Sequence, residues 1–102
     1  MSALIWAPFP DKETAQLVVR SLLEERLIAC GNIIQDMQSL FLWDGEIQQS
    51  GEVGVLFKTD ARLLQRAIDR LEELHPYEVP AIFGWPCSSV GKATQNWLAS
   101  LL

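Results

Sequence analysis

The dipeptide Asp44-Gly45 constrains the fold of this chain more than any other feature, because it separates two long extended segments. Both residues accept a positive φ, and Asp-Gly between apolar runs is the strongest short-range signal for a β-hairpin. Segment 30–43 leads into the turn with aromatic residues at alternate positions, and segment 46–57 returns from it. Ser50-Gly51 in the returning segment predicts a bulge or bend. The sequence therefore predicts a hairpin with strands of about 13 residues, which is long for a small domain.

Amphipathic helices precede and follow this hairpin. In each, apolar residues recur at the three- and four-residue spacing that places them on one helix face. The first helix is capped by Asp11, should end near Leu27-Ile28, and has the apolar stripe Ala15, Val18, Val19, Leu22 and Leu23. The second begins after an N-cap at Thr59 or Asp60, stops at Pro76, and has the stripe Leu63, Leu64, Ala67, Ile68 and Leu71.

Shorter elements complete the chain. Apolar runs at residues 4–7 and 81–85 predict two further strands, the first of them buried, each next to a proline-containing turn. A C-terminal helix from about Gly91 is expected to bury Trp97, Leu98 and Leu101. The order is then β-α-β-β-α-β plus a C-terminal helix, in one domain covering residues 1–102.

This order predicts the fold class. Two β-α-β units joined by a hairpin form the split β-α-β, or ferredoxin-like, arrangement of the α+β class. Right-handed crossovers then place both helices on one face of the sheet. The long hairpin exposes apolar side chains and sheet edges, which is an aggregation hazard for a monomer. We therefore expect self-association through the hairpin.

Charge and composition exclude several classes of partner. The chain has 8 Lys+Arg against 13 Asp+Glu, a formal charge of −5, and no basic cluster, so neither a nucleic acid nor an anionic membrane surface is an expected partner. No apolar run reaches the roughly 20 residues that span a bilayer, and no secretory signal is visible, so a cytoplasmic location is expected. Two cysteines are too few for a disulfide framework, although their spacing leaves one bridge open.

The only histidine and the two cysteines are the candidate metal ligands. His75 lies at the predicted end of the second helix, where it either caps the last carbonyls or binds a ligand or metal ion. Cys30 follows an apolar run typical of a buried position, and Cys87 near the chain end is the more exposed candidate. Their thiols suit a soft ion such as Cu(I). One histidine excludes a multi-histidine metal cage within a subunit.

Other residues suit a binding pocket. Lys58 precedes the start of the second helix, where it either receives a small anion or is solvated. Trp43 and Tyr77 either line a pocket or pack in an interface. No pair of base and nucleophile and no cofactor fingerprint can be named, so no enzymatic function is expected.

The order of these elements and the turn residues between them resemble those of the CutA family, which is named for divalent-cation tolerance. The matching segments cover nearly the whole chain in the correct order. They are residues 11–15 (DKETA), 27–34 (LIACGNII), 42–47 (LWDGEI), 58–59 (KT), 75–80 (HPYEVP) and 96–98 (NWL).

The resemblance implies a ferredoxin-like subunit in a tight homotrimer held by extended hairpins, with a role in tolerance of copper and other divalent cations. The trimer architecture is similar to that of the nitrogen-regulatory signal proteins, which bind small effectors in clefts between subunits. An intersubunit ligand site is then expected at Trp43, Lys58, His75, Tyr77 and Glu78. The aromatic rings would form its walls, Lys58 would attract an anionic ligand, His75 would donate or bind metal, and Glu78 would supply a carboxylate.

The chain departs from the family pattern at three positions implicated in metal binding. Ala7, Leu74 and Ala81 stand where some members have a cysteine, a histidine and a glutamate. The resemblance therefore implies that the metal site of those members is absent from this chain. Two alternatives to a regulatory trimer stay open. One is a protein that binds copper or another divalent cation directly through Cys30, His75 or Cys87. The other is a structural trimer that presents surfaces to a partner protein.

Overall fold

A computed structural model describes all 102 residues. It contains four β-strands, three α-helices and one 3-10 turn. In chain order they are β1 (Ser2–Phe9), α1 (Lys12–Glu24), β2 (Cys30–Trp43), β3 (Glu46–Asp60), the 3-10 turn (Ala61–Leu63), α2 (Leu64–Leu74), β4 (Phe83–Pro86) and α3 (Lys92–Ala99). The predicted β-α-β-β-α-β order with a C-terminal helix is confirmed.

The strands form one antiparallel sheet in the order β2-β3-β1-β4. β1 pairs with β3 on one side and with β4 on the other, and β2 forms the hairpin with β3. The crossover through α1 joins two strands that flank β3, and the crossover through α2 joins two strands that flank β1. This is the split β-α-β topology, so the predicted ferredoxin-like α+β class is confirmed.

One apolar core lies between the sheet and the two crossover helices. Alternate residues of β1 and β3 point into it, and Ile5, Phe9 and Phe57 are fully buried. The helices contribute Ala15, Val18, Val19, Leu22, Ala67 and Leu71. Leu23, which the sequence pattern placed in the stripe of α1, lies at its edge and is exposed.

The boundaries of α1 follow from its caps. The Asp11 carboxylate accepts a hydrogen bond from a backbone N–H of the first turn at 2.7 Å, which confirms the predicted N-cap. The helix ends at Glu24 and not near Leu27-Ile28. The reason is Arg26, whose φ of 57° reverses the chain in the left-handed conformation typical of helix ends.

The irregularity of the hairpin lies in the opposite strand from the one predicted. Ser50-Gly51 pairs in regular register, so the prediction of a bulge there is wrong. The register shifts instead between Ile34 and Met37, where Asp36 adopts a φ of 60°. Aspartate tolerates this left-handed conformation better than most residues, which explains how β2 accommodates the extra residue without a glycine.

The first strand and the C-terminal elements differ from the sequence prediction in extent. β1 is longer than residues 4–7, and β4 is shifted toward the C-terminus relative to 81–85. α3 contacts β1 and β3, and its Leu98 is buried apart from the core that contains α1 and α2, so α3 covers part of the other sheet face. Trp97 is exposed and Leu101 half-buried, so only Leu98 is buried as predicted. None of the helices has both the length and the apolar character of a membrane span.

Asp60 is buried at the end of β3 and is paired with Arg62. Its carboxylate accepts hydrogen bonds from the Arg62 backbone N–H at 2.9 Å and from the guanidinium at 2.9 and 3.1 Å. The guanidinium lowers the pKa of Asp60 to about 2, against the opposing effect of burial. Asp60 therefore caps the turn into α2, whereas the Thr59 hydroxyl donates to the Leu27 carbonyl at 2.7 Å.

Asp60→Asn is expected to lower the free energy of unfolding by about 2 kcal/mol at neutral pH. The pKa of Asp60 is about 2 in the folded state and 3.8 ordinarily, so the ionised carboxylate stabilises the fold fully at a pH above 3.8. Its contribution is lost as the pH falls to about 2, and the difference between wild type and variant should shrink accordingly. Urea unfolding across this window measures the effect. Asp69→Asn on the exposed face of α2 is the control, and a difference independent of pH would contradict the assignment.

Candidate ligand groove

A groove lies between the hairpin and the segment that follows α2. The hairpin projects beyond the last pair of β1 and β3, Phe9 with Val53, and segment 76–81 lies alongside the projecting part. Together they border an open cavity of about 680 Å³. The lining residues are Pro8, Ser39, Phe41, Leu42, Trp43, Ser50, Glu52, Pro76, Tyr77, Glu78, Val79 and Ala81.

His75 holds the start of segment 76–81 in place. The residue is 7% exposed and its ring stacks on that of Phe9, with the ring centroids 4.5 Å apart and the planes at 22°. The ring Nε2 lies 2.7 Å from the Pro8 carbonyl oxygen. The ring Nδ1 accepts a hydrogen bond from the Tyr77 backbone N–H at 3.1 Å. His75 thus connects the end of β1 to the chain that borders the groove.

These two hydrogen bonds define the protonation state of His75. A carbonyl oxygen can only accept, so Nε2 carries the proton, and Nδ1 must be unprotonated to accept from Tyr77. Burial lowers the pKa of His75, although the Pro8 carbonyl and the Glu52 carboxylate oppose this effect. Both ring nitrogens of the neutral side chain are therefore hydrogen-bonded. His75 does not line the groove but holds the segment that borders it.

Tyr77 ties the segment to the hairpin. Its hydroxyl donates a hydrogen bond to Glu52 Oε2 at 2.6 Å, and its ring centroid lies 4.8 Å from that of His75. Burial and, after it, the hydrogen bond to Glu52 raise the pKa of Tyr77 well above its ordinary 10.0. The phenol therefore keeps its proton at physiological pH and holds one oxygen of the Glu52 carboxylate.

Aromatic side chains of β2 form the opposite wall. Phe41 and Trp43 pair with Gln48 and Glu46 across the hairpin, which places them on the same face as Glu52. The other face of the hairpin carries Leu40, Leu42 and Ile47, all more than half exposed. Both faces of the projecting hairpin therefore present apolar surface.

The structure brings together three of the five residues predicted for the ligand site. Trp43, Tyr77 and Glu78 line the groove, and His75 lies directly behind it. Lys58 does not approach it within one chain. It lies six residues from Glu52 along β3, a distance of roughly 20 Å in an extended strand.

The three candidate metal ligands do not converge within one chain. Cys30 begins β2 and Cys87 follows β4, with β3 and β1 between them, so the two residues are roughly 14 Å apart. A disulfide needs Cα atoms within about 7 Å, and both thiols are free. Both nitrogens of His75 are engaged, and no group of three or more His, Cys, Asp or Glu residues is placed to hold a metal ion. The residues of one chain do not fit a metal centre.

Glu52 is the ionisable groove residue that the sequence interpretation missed. A signal for it exists, because pairs counted outward from the two-residue turn Asp44-Gly45 place Glu52 opposite Met37 and on the face of Trp43. Its contact with Tyr77 has no such signal. It depends on where segment 76–81 crosses the hairpin, which is a matter of tertiary packing.

Comparison with known protein families gives a match over almost the whole chain. A family model described as CutA1 divalent ion tolerance protein matches residues 3–100. The divalent-cation tolerance protein CutA of Pyrococcus horikoshii is 40% identical over 95 residues, covering 93% of this chain and 92% of that protein. The protein of the same description from Thermotoga maritima is 41% identical over 95 residues, covering 93% of each.

Solved structures agree with the sequence comparison. The crystal structure of divalent ion tolerance protein CutA1 from Ehrlichia chaffeensis superposes with a TM-score of 0.93 at 30% identity, over 98% of this chain and 94% of that chain. The structure of the periplasmic divalent cation tolerance protein CutA from Archaeoglobus fulgidus superposes with a TM-score of 0.93 at 29% identity, over 99% of this chain and 98% of that chain. The likeness therefore includes the projecting hairpin and the segment that borders the groove.

Proposed function

The chain belongs to the CutA1 family of divalent ion tolerance proteins, and from this premise we propose that it acts as a non-enzymatic homotrimer with a ligand-binding groove in each subunit. The trimer would serve divalent-cation tolerance as a regulatory scaffold that responds to a small ligand. The groove bordered by Trp43, Tyr77 and Glu78 is the observation that carries this proposal.

The projecting hairpin supports self-association. Leu42 and Ile47 form a cross-strand pair and are 74% and 76% exposed, on the face of the hairpin opposite to that of Glu52. Apolar side chains at this density are typical of a surface that is buried by a partner. A second copy whose hairpin packs against the first removes both the apolar surface and the open strand edges. The number of three subunits is what the resemblance to CutA proteins implies.

The state of the ionisable side chains supports a binding role without catalysis. His75 has both nitrogens engaged in backbone hydrogen bonds, so it has no free lone pair for a base or a metal ligand. The Tyr77 hydroxyl is held by Glu52 and its pKa is raised, so it is a poor acid as well as a poor nucleophile. What these groups do is fix the shape of the groove.

We place the protein in the cytoplasm. Two free cysteines, far apart and half-buried, suit a reducing compartment. The Archaeoglobus fulgidus protein, by contrast, is described as periplasmic. Fractionation of the native host with compartment markers tests this assignment, and recovery with the periplasmic or extracellular marker would contradict it.

Native mass spectrometry tests the trimer. The wild type is expected as a species of three 11.5-kDa chains. The double variant Leu42→Lys/Ile47→Lys should dissociate to monomer, because burying two ammonium groups in the hairpin contact is costly. The control is Leu17→Lys on α1, which is 68% exposed and outside the hairpin, and it should remain trimeric. A monomeric wild type, or a double variant that stays fully trimeric, would overturn the proposed assembly.

A further inference from the structure

We propose that the groove takes a small organic cation, an ammonium or guanidinium group on an apolar body. This inference rests on the proposed function, because it names the ligand class for the same groove. It differs from the anionic ligand expected from Lys58, which lies roughly 20 Å from Glu52 along β3 within one chain.

The charges at the groove favour a cation. Its ionisable lining residues are Glu52, Tyr77 and Glu78, and neither lysine nor arginine is among the twelve residues that border it. Two carboxylates without a basic neighbour repel an anion and attract a cation, more strongly where apolar walls lower the local dielectric. The formal charge of −5 on the chain acts in the same direction.

The walls of the groove favour an organic cation over a simple ion. Phe41, Trp43 and Tyr77 line the same groove as the carboxylates, and the faces of aromatic rings attract ammonium and guanidinium groups. The same rings and Val79 supply apolar surface for the body of the ligand. A cavity of about 680 Å³ is within the range that holds a small organic molecule.

The available donor atoms do not suit a metal ion. Divalent cations such as Ca²⁺ take six or more oxygen ligands at 2.3–2.6 Å, and one Glu52 oxygen is already committed to the Tyr77 hydroxyl. No group of three His, Cys, Asp or Glu residues is present to complete a coordination sphere. An ammonium group needs less, because three N–H donors are satisfied by one or two carboxylates and a hydroxyl such as that of Ser39.

Two probes of nearly equal shape and opposite charge test the inference. Phenethylamine and 3-phenylpropionate share a phenyl ring and a two-carbon linker and differ in the terminal ammonium or carboxylate. Titration of the ¹⁵N-labelled full chain is followed through the Trp43 indole and Tyr77 amide signals. We expect the amine to saturate these signals at a roughly tenfold or more lower concentration than the acid. Added salt should reduce the preference.

Variants of the two carboxylates test whether they cause the preference for the amine. Glu52→Gln keeps an oxygen that accepts from Tyr77 but removes the charge, and Glu78→Gln removes the second charge. Each should weaken amine binding several-fold, and the double variant should lose the preference for the amine. Glu72→Gln on the exposed face of α2 is the matched control and should bind like the wild type.

The outcomes separate this inference from the proposed function. If the acid binds at the groove as well as the amine or better, the cation assignment is overturned while the ligand groove stands. If zinc ions shift the groove signals and neither organic probe does, the organic cation is likewise overturned. If no probe shifts these signals in a protein that is trimeric by mass spectrometry, the groove fails as a ligand site together with this inference.

Discussion

Replacing Phe57 by alanine is expected to lower the free energy of unfolding by about 3–5 kcal/mol. Phe57 has no exposed surface, and its ring lies 6.4 Å from that of Phe9 between the sheet and the crossover helices. The substitution removes a whole ring from a close-packed core, which cannot collapse to fill the space because β3 is held by β1 and β2 on both sides. A loss of this size is a large fraction of the stability of a small domain.

Guanidinium unfolding at one fixed chain concentration measures the effect, because the apparent stability of an oligomer depends on concentration. Leu17→Ala on the exposed face of α1 is the control and should change stability by less than about 0.5 kcal/mol. Phe57→Leu should lie between the two, since it keeps part of the apolar volume. Equal losses in Phe57→Ala and Leu17→Ala would contradict the placement of Phe57 in the core.

Features of the fold that depend on nearby residues could be predicted from the sequence. The turn at Asp44-Gly45, the cap at Asp11 and the apolar stripes of the two crossover helices are local patterns, and the structure confirms them except for the exposed Leu23. The order of these elements was then enough for the ferredoxin-like class, because few topologies are compatible with right-handed crossovers. Errors arose where a long-range contact decides a local conformation.

The hairpin irregularity is one such error. Gly51 has the greater conformational freedom, yet the bulge occurs at Asp36 in the facing strand. The pairing of β3 with β1 keeps the residues from Val53 to Asp60 in strict alternation between core and opposite face. The extra residue lies opposite Val53, where a bulge in β3 would disturb the pairing with β1, whereas β2 is an edge strand and has only one neighbour to satisfy.

The candidate groove was predictable only in part for the same reason. Tyr77 and Glu78 belong to one short segment, so they remain together in any fold, and Trp43 joins them because the hairpin projects past β1. Lys58 is on the same strand as Glu52, but at the opposite end of the sheet. Within one chain the register of β3 places Glu52, and not Lys58, at the groove, and the intersubunit site that the resemblance implies stays a prediction.

His75 is the residue for which sequence left two roles open, and the structure favours a positioning role that can be measured. His75→Ala is expected to lower the free energy of unfolding by about 2–4 kcal/mol near pH 7.5, because it removes the stacking on Phe9 and leaves two backbone groups without partners. It should also speed hydrogen exchange at the Tyr77 amide, which donates to the ring.

The pH dependence follows from the same hydrogen bonds. Burial lowers the pKa of His75 below its ordinary 6.5, so the unfolded chain takes up a proton at a higher pH than the folded chain. The wild type should therefore lose stability as the pH falls from about 6.5 toward the lowered folded-state pKa, and should be fully stabilised by the neutral ring above about 6.5. His75→Ala lacks this group, so its stability should show no such slope in that window.

Two conservative variants distinguish the hydrogen bonds from simple packing. The amide nitrogen of glutamine in His75→Gln can still donate to the Pro8 carbonyl, and the amide oxygen of asparagine in His75→Asn can still accept from the Tyr77 N–H. Each should retain part of the stability lost in His75→Ala, and only His75→Asn should restore slow exchange at the Tyr77 amide. Neither titrates, so both should lack the slope below pH 6.5. If both lose as much as alanine and Tyr77 exchange is unchanged throughout, the ring acts by packing alone and the groove is held by other contacts.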